Sequence, residues 1–182
     1  FAEYQRSEAW TWEHQALLHA RAVAGAPALR ERFEAVRLEV LCNYVRRDTL
    51  REEVRNMRER MRRELGGGDP LRFDIKQDPG GIADIEFLAQ YWALSWAHEH
   101  PPVAMFADTI RQLESVASAD LVPQSSVDVL TAAYRTYRMR IHRLSLDGAP
   151  PVVAAEEFAG TRAAVTALRN ATLGPESEVS RV

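Results

Sequence analysis

The stretch Ile82–Trp96, I-A-D-I-E-F-L-A-Q-Y-W-A-L-S-W, decides what kind of protein this is. Ile82, Ile85, Phe87, Leu88, Tyr91, Trp92, Leu94 and Trp96 fall on every side of a 3.6-residue period and leave little polar surface. A helix that is apolar all round must be covered by other elements. The pattern therefore predicts a central buried helix over about 82–99, broken by Pro101-Pro102.

The flanking segments have the period of helices that could cover it. Ser7 is placed to cap a helix of about 8–24, with Trp10, Leu17 and Leu18 on its apolar stripe and Gly25 at its end. Leu29, Phe33, Val36, Val40 and Leu41 mark a second over about 27–45. Asp48 is the expected N-cap of a third, about 49–65, with Leu50, Val54, Met57, Met61 and Leu65 along one face. Gly66-Gly67-Gly68-Asp69-Pro70 should stop it. Later helices are expected over about 103–119, 124–146 and 155–172, the middle one opening after Pro123. Strand-like alternation and Asn-Gly or Asp-Gly hairpin signals are absent. The expectation is an all-α bundle of six or seven helices, one domain over 1–172, with 173–182 a disordered tail.

Composition narrows the function classes. The net charge of −3 gives no global positive field for nucleic acid. No apolar run approaches the roughly 20 residues that span a bilayer. One cysteine, Cys42, cannot form an internal disulfide and suits a reducing cytoplasm. The chain starts at Phe1 inside a helical pattern, which is expected of a piece of something longer.

One composition detail points to a site. Of 23 basic residues, 22 are arginine and the remaining one is Lys76. A coding bias towards arginine explains the majority, and under that bias a retained lysine is informative. Its ammonium is a compact point charge, chemically unlike a planar guanidinium. Lys76 stands just before Asp78-Pro79-Gly80-Gly81, a turn signal that leads straight into the 82–99 helix. Two readings compete. In one, the free amides and positive dipole of the helix mouth, with glycines that allow close approach, hold a phosphate beside Lys76. In the other, this is a tight turn whose amides are met by Asp78 or water. The P-loop pattern itself is absent.

Asp84 and Glu86, two apart, point away from each other and cannot chelate one ion as a simple pair. Within so apolar a stretch each needs a partner, and an arginine is the expected one. A buried ion pair is the leading expectation for Glu86, with Asp84 balanced between that and another role. Arg51, Arg55, Arg58 and Arg62 form a stripe on the third helix, interspersed with Glu52, Glu53, Glu59 and Glu64. A solvated face with a Glu59–Arg63 pair is favoured there over a phosphate-binding surface. The histidines make no metal constellation with Cys42, and no self-sufficient catalytic centre appears.

Three blocks occur in order: E-A-W-T-W-E-H-Q-A-L-L-H-A-R (Glu8–Arg21), R-E-E-V-R-N-M-R-E-R-M-R (Arg51–Arg62) and F-D-I-K-Q-D-P-G-G-I-A-D-I-E-F-L-A-Q-Y (Phe73–Tyr91). Together they resemble the bacterial glutamine synthetase adenylyltransferases, over about residues 1–172. A related G-G-rich block occurs in the uridylyltransferases of the PII signal protein. The resemblance implies a bifunctional enzyme in which each half joins a nucleotidyltransferase domain to a helical domain. Asp84 and the early end of the chain are similar to the C-terminal half, which transfers AMP from ATP to glutamine synthetase. The Gly-Ser and spaced aspartates that hold Mg²⁺ in that family are missing, so this chain is expected to be inactive alone. ATP and Mg²⁺ are implied for the whole enzyme, and glutamine synthetase, PII and an upstream nucleotidyltransferase domain as partners. The resemblance further implies that Lys76, Gly80 and Gly81 contact the nucleotide or active site. Asp84 and Glu86 would anchor the loop, with Arg21 as their candidate partner. A purely regulatory module that binds PII or relays its signal is the rival expectation.

Overall fold

A computed structural model describes residues 1–65 and 69–175. The expected glycine stop at 66–68 and most of the expected tail, 176–182, lie outside the described residues. Eight α-helices are present among them: α1 Ala2–Ser7, α2 Thr11–His19, α3 Pro27–Asn43, α4 Leu50–Leu65, α5 Ile82–Trp96, α6 Thr109–Ser118, α7 Gln124–Leu146 and α8 Ala159–Leu173. The described residues are all-α apart from two three-residue strands, β1 Arg72–Asp74 and β2 Val152–Ala154, paired antiparallel with Phe73 opposite Val153. Three residues are too few to show alternation, which is why the sequence pattern missed them.

The residues group into two compact units, one of Phe1–Val54 with Ala89–Gln124, the other of Arg55–Leu88 with the chain from Ser125 on. Helices α4 and α5 supply residues to both.

In the first unit the expected helix over 8–24 is shorter, Thr11–His19, and Ser7, its expected cap, is the last residue of a separate helix, α1. The Trp10 amide donates to Glu13 Oε2 at 2.9 Å and so starts a new helix at Thr11. That helix ends at His19, before Gly25. Helix α3 has Pro27 in its first turn and matches expectation closely. Helix α4 begins at Leu50, so Thr49, not Asp48, precedes it. The expected 103–119 helix starts at Thr109, where the Asp108 carboxylate accepts from the Arg111 amide at 3.1 Å; a 3-10 turn covers Pro101–Ala104. Leu18, Val40, Leu41, Leu94 and Leu113 are fully buried in this unit's core.

In the second unit the core is aromatic. The rings of Phe73, Tyr137 and Phe158 meet edge to face, with centroids 5.3–6.4 Å apart. Ile75, Ile85, Leu88, Leu130 and Val165 close around the unit's interior. The Arg162 guanidinium stacks 4.1 Å from the Phe73 ring. Phe73 on β1 thus fixes the strand that leads into the Lys76 turn.

Candidate functional site

The turn between β1 and α5 lies wholly within the second unit. Asp74 Oδ1 accepts from the Lys76 and Gln77 amides at 2.8 and 3.1 Å. Asp78 Oδ2 returns the favour to the Asp74 amide at 2.7 Å, while the Asp78 amide donates to the Asp74 carbonyl. The Gly81 amide donates to Asp78, that of Ile82 to Ile75 and that of Ala83 to Lys76, at 2.8–3.1 Å. The Gly80 amide donates to Asp84 Oδ2 at 2.7 Å, and the Gly80 carbonyl accepts from the Tyr137 hydroxyl at 2.9 Å. Local Asp side chains thus replace the solvent that a turn would otherwise require.

This use of the amides differs from the phosphate cradle expected at the helix mouth. The donors of Gly80 and Gly81 are engaged inside the turn, and both residues are buried. Glycine is required for another reason. Gly80 has φ +78°, and a Cβ there would lie 2.5 Å from the Arg162 carbonyl oxygen. A Cβ on Gly81 would lie 2.5 Å from that of Ile75. The backbone of α8 and the start of the turn approach too closely for any side chain.

Asp84 is buried, and its partner is Arg58 on α4: Nε donates to Oδ1 at 2.7 Å. The expected partner, Arg21, lies exposed in the first unit. Glu86, expected to be buried in an ion pair, is half-buried and accepts from the Tyr134 hydroxyl at 3.3 Å. The reading of the arginine stripe as a solvated face also needs correction. Arg58 and Glu59 are buried, and Glu59 stands 4.0 Å from Arg55.

Lys76 alone in this turn is presented outward: it is exposed, while Ile75 before it is fully buried. Its amide and carbonyl are held at 2.8 and 3.1 Å, so a fixed backbone carries the ammonium. Beside it, Asp69, Arg72, Asp74, Asp78, Pro150 and Val152 line an open cavity of about 290 Å³. Among the described residues no group of three or more His, Cys, Asp or Glu is placed to hold a metal ion.

Sequence reasoning missed Arg58, Tyr137 and Arg162. For Tyr137 a signal existed. Val127, Leu130, Ala133 and Tyr137 form the buried stripe of α7, and a phenol on such a stripe must find an acceptor. Nothing in the pattern separates Arg58 from its neighbours.

Two family models match the chain: that of GlnD PII-uridylyltransferase over residues 48–149, and that of glutamate-ammonia ligase adenylyltransferase over 1–36. The first match contains the whole turn with Arg58, Asp84 and Tyr137; the second contains the Trp10–Trp12 block. A bifunctional glutamine synthetase adenylyltransferase/adenylyl-removing enzyme of Thioalkalivibrio sulfidiphilus (strain HL-EbGR7) is 49% identical over 168 residues, 92% of this chain. The chain spans 17% of that relative's length.

Proposed function

The chain belongs to the family of PII-uridylyltransferases and glutamine synthetase adenylyltransferases, and from that premise we propose that it is a helical domain completing the adenylylating site of a larger enzyme. Residues 1–172 follow a nucleotidyltransferase domain, which carries the carboxylates for Mg²⁺ and binds most of the ATP. That enzyme transfers AMP to a tyrosine hydroxyl of glutamine synthetase in the cytoplasm. The tyrosine oxygen bonds to the α-phosphorus, the α–β bond breaks, and pyrophosphate leaves.

This chain supplies a positioned positive charge to that site. The observation that carries the reading is the single exposed ammonium, Lys76, on a turn whose amides are engaged internally. Nucleotidyl transfer depends on placing charge against the phosphates, and a fixed cation loses little when it meets them. Gly80 and Gly81 serve by letting the turn pack, and Asp84 and Glu86 by holding it. Both outward contact and packed support are thus met between Lys76 and Glu86, within the turn and the start of α5. Among the described residues no helix is long and apolar enough to cross a membrane.

The match of residues 48–149 to the uridylyltransferase model favours a second reading, in which the same turn serves uridylyl transfer to PII. The 49% identity over 92% of the chain to an adenylyltransferase weighs against it. The test uses ATP and UTP labelled at the α-phosphate, with glutamine synthetase and PII as acceptors. This chain is compared with a version extended upstream by the nucleotidyltransferase domain. We expect label from ATP on glutamine synthetase, and with the extended version alone. Labelling by the short chain, or label from UTP on PII, would contradict the proposal.

A further inference from the structure

Buried side chains grip the Lys76 turn from outside itself: Tyr137 at the Gly80 carbonyl, and Arg58 at two points. Arg58 is 2% exposed. Its Nε meets Asp84 Oδ1 at 2.7 Å and its Nη2 meets the Gln77 carbonyl at 2.8 Å. Gln77 is the residue after Lys76, and the other oxygen of Asp84 holds the Gly80 amide at 2.7 Å. One planar fork therefore fixes the turn on both sides of Pro79. A lysine could satisfy one of these acceptors but has no rigid fork to span both.

Stability alone accounts poorly for this residue. A buried arginine–carboxylate pair is often no more stabilising than a well-packed apolar pair, because desolvation consumes the Coulombic gain. Here the cost is higher still, since Nη1 is buried with no hydrogen-bond partner among the described residues. What the fork supplies is geometry: the carbonyl beside Lys76 and the cap of Gly80 are locked to one rigid group.

We propose that Arg58 is a positioning residue for the ammonium of Lys76, acting on transfer through the turn and not by contact with substrate. This rests on the reading of Lys76 given above. A backbone shift of about 1 Å at such a site is enough to cost on the order of a hundredfold in rate.

The test is made in the full-length adenylyltransferase that carries this chain, with Arg58→Lys, Lys76→Ala and the double variant. ATP dependence of AMP transfer and amide exchange across 76–83 are both measured. We expect Arg58→Lys to speed exchange at Gly80 by about tenfold relative to amides of α7. Transfer should fall by about 10- to 100-fold, and the double variant should be no slower than Lys76→Ala alone, because both act through one ammonium. Arg58→Met with Asp84→Asn is the control for folding: it keeps the Gly80 cap, loses the fork and removes both buried charges. It should keep the unfolding midpoint within a few degrees and still lose transfer. Losses that multiply in the double variant, or full transfer by either Arg58 variant, would overturn the assignment while leaving Lys76 in place. Full transfer by Lys76→Ala would overturn the reading of Lys76 itself, and Arg58's role with it.

Discussion

Arginine is buried almost completely in both units, Arg37 in the first and Arg58 and Arg169 in the second, and Arg37 and Arg58 are satisfied in opposite ways. Arg37, in the first unit, gives its hydrogens to backbone: the Leu17, Leu18 and Ala104 carbonyls at 2.9, 2.7 and 3.1 Å. Its carboxylate, Glu34, is a half-buried neighbour at 3.4 Å. Burial accordingly pulls the Arg37 guanidinium below its ordinary range, with Glu34 opposing. Arg58, in the second unit, faces a buried carboxylate instead. Carbonyls at the ends of helical segments can be satisfied by any donor, so Arg37 serves as a plug. A carboxylate whose second oxygen caps a turn hands on its position, so Arg58 serves as a brace. The same side chain finishes structure in one unit and aims a charge in the other.

The sharpest way to break this contrast is to delete each guanidinium. Arg58→Leu leaves Asp84 charged and buried, and should cost about 3–5 kcal/mol in urea unfolding followed by circular dichroism. Converting Asp84→Leu as well should recover most of that, less the cap lost at Gly80. If the single variant costs under about 1 kcal/mol, Asp84 is not held as described. Gly80→Ala tests the turn that the brace holds. Its positive φ and the 2.5 Å approach to the Arg162 carbonyl oxygen leave no room for a methyl group. A loss of about 2–4 kcal/mol is expected.

Arg37→Leu should cost less, about 1–3 kcal/mol, because carbonyls at a helix end can turn to water. A larger loss than Arg58→Leu would reverse the comparison. Tyr137→Phe is milder again, removing one hydrogen bond to Gly80 at about 1 kcal/mol. Burial raises the Tyr137 phenol above its ordinary 10.0, against the pull of Arg162 and with help from Asp84. The folded state thus holds that proton more tightly than the unfolded chain. The associated stability is complete below pH 10 and fades as pH rises beyond it. Titrating stability from pH 9 to 11 should show a decline that Tyr137→Phe reduces.

The contrast also marks where sequence reading succeeds. Helices α3, α5 and α7 were legible because their apolar periods are long and end in proline, glycine or aromatic breaks. The turn was legible from Asp78-Pro79-Gly80-Gly81, and Lys76 from its solitude among arginines. The start of the first expected helix at Thr11 was hidden because Glu13 caps across a stretch that is itself good helix sequence. Arg58 was hidden for a deeper reason. On a helix where arginine recurs every three or four residues, burial is decided by what packs opposite, and Asp84 lies 26 residues away. Long-range pairing leaves no mark on a local period.

The most direct test is AMP transfer to glutamine synthetase by the full-length enzyme carrying Lys76→Ala or Lys76→Arg, with thermal unfolding measured beside it. An exposed ammonium that serves the reaction and not the fold requires unchanged midpoints and transfer reduced at least about tenfold in both variants, since a guanidinium does not replace a point charge. Transfer at the unsubstituted rate in both would contradict the account.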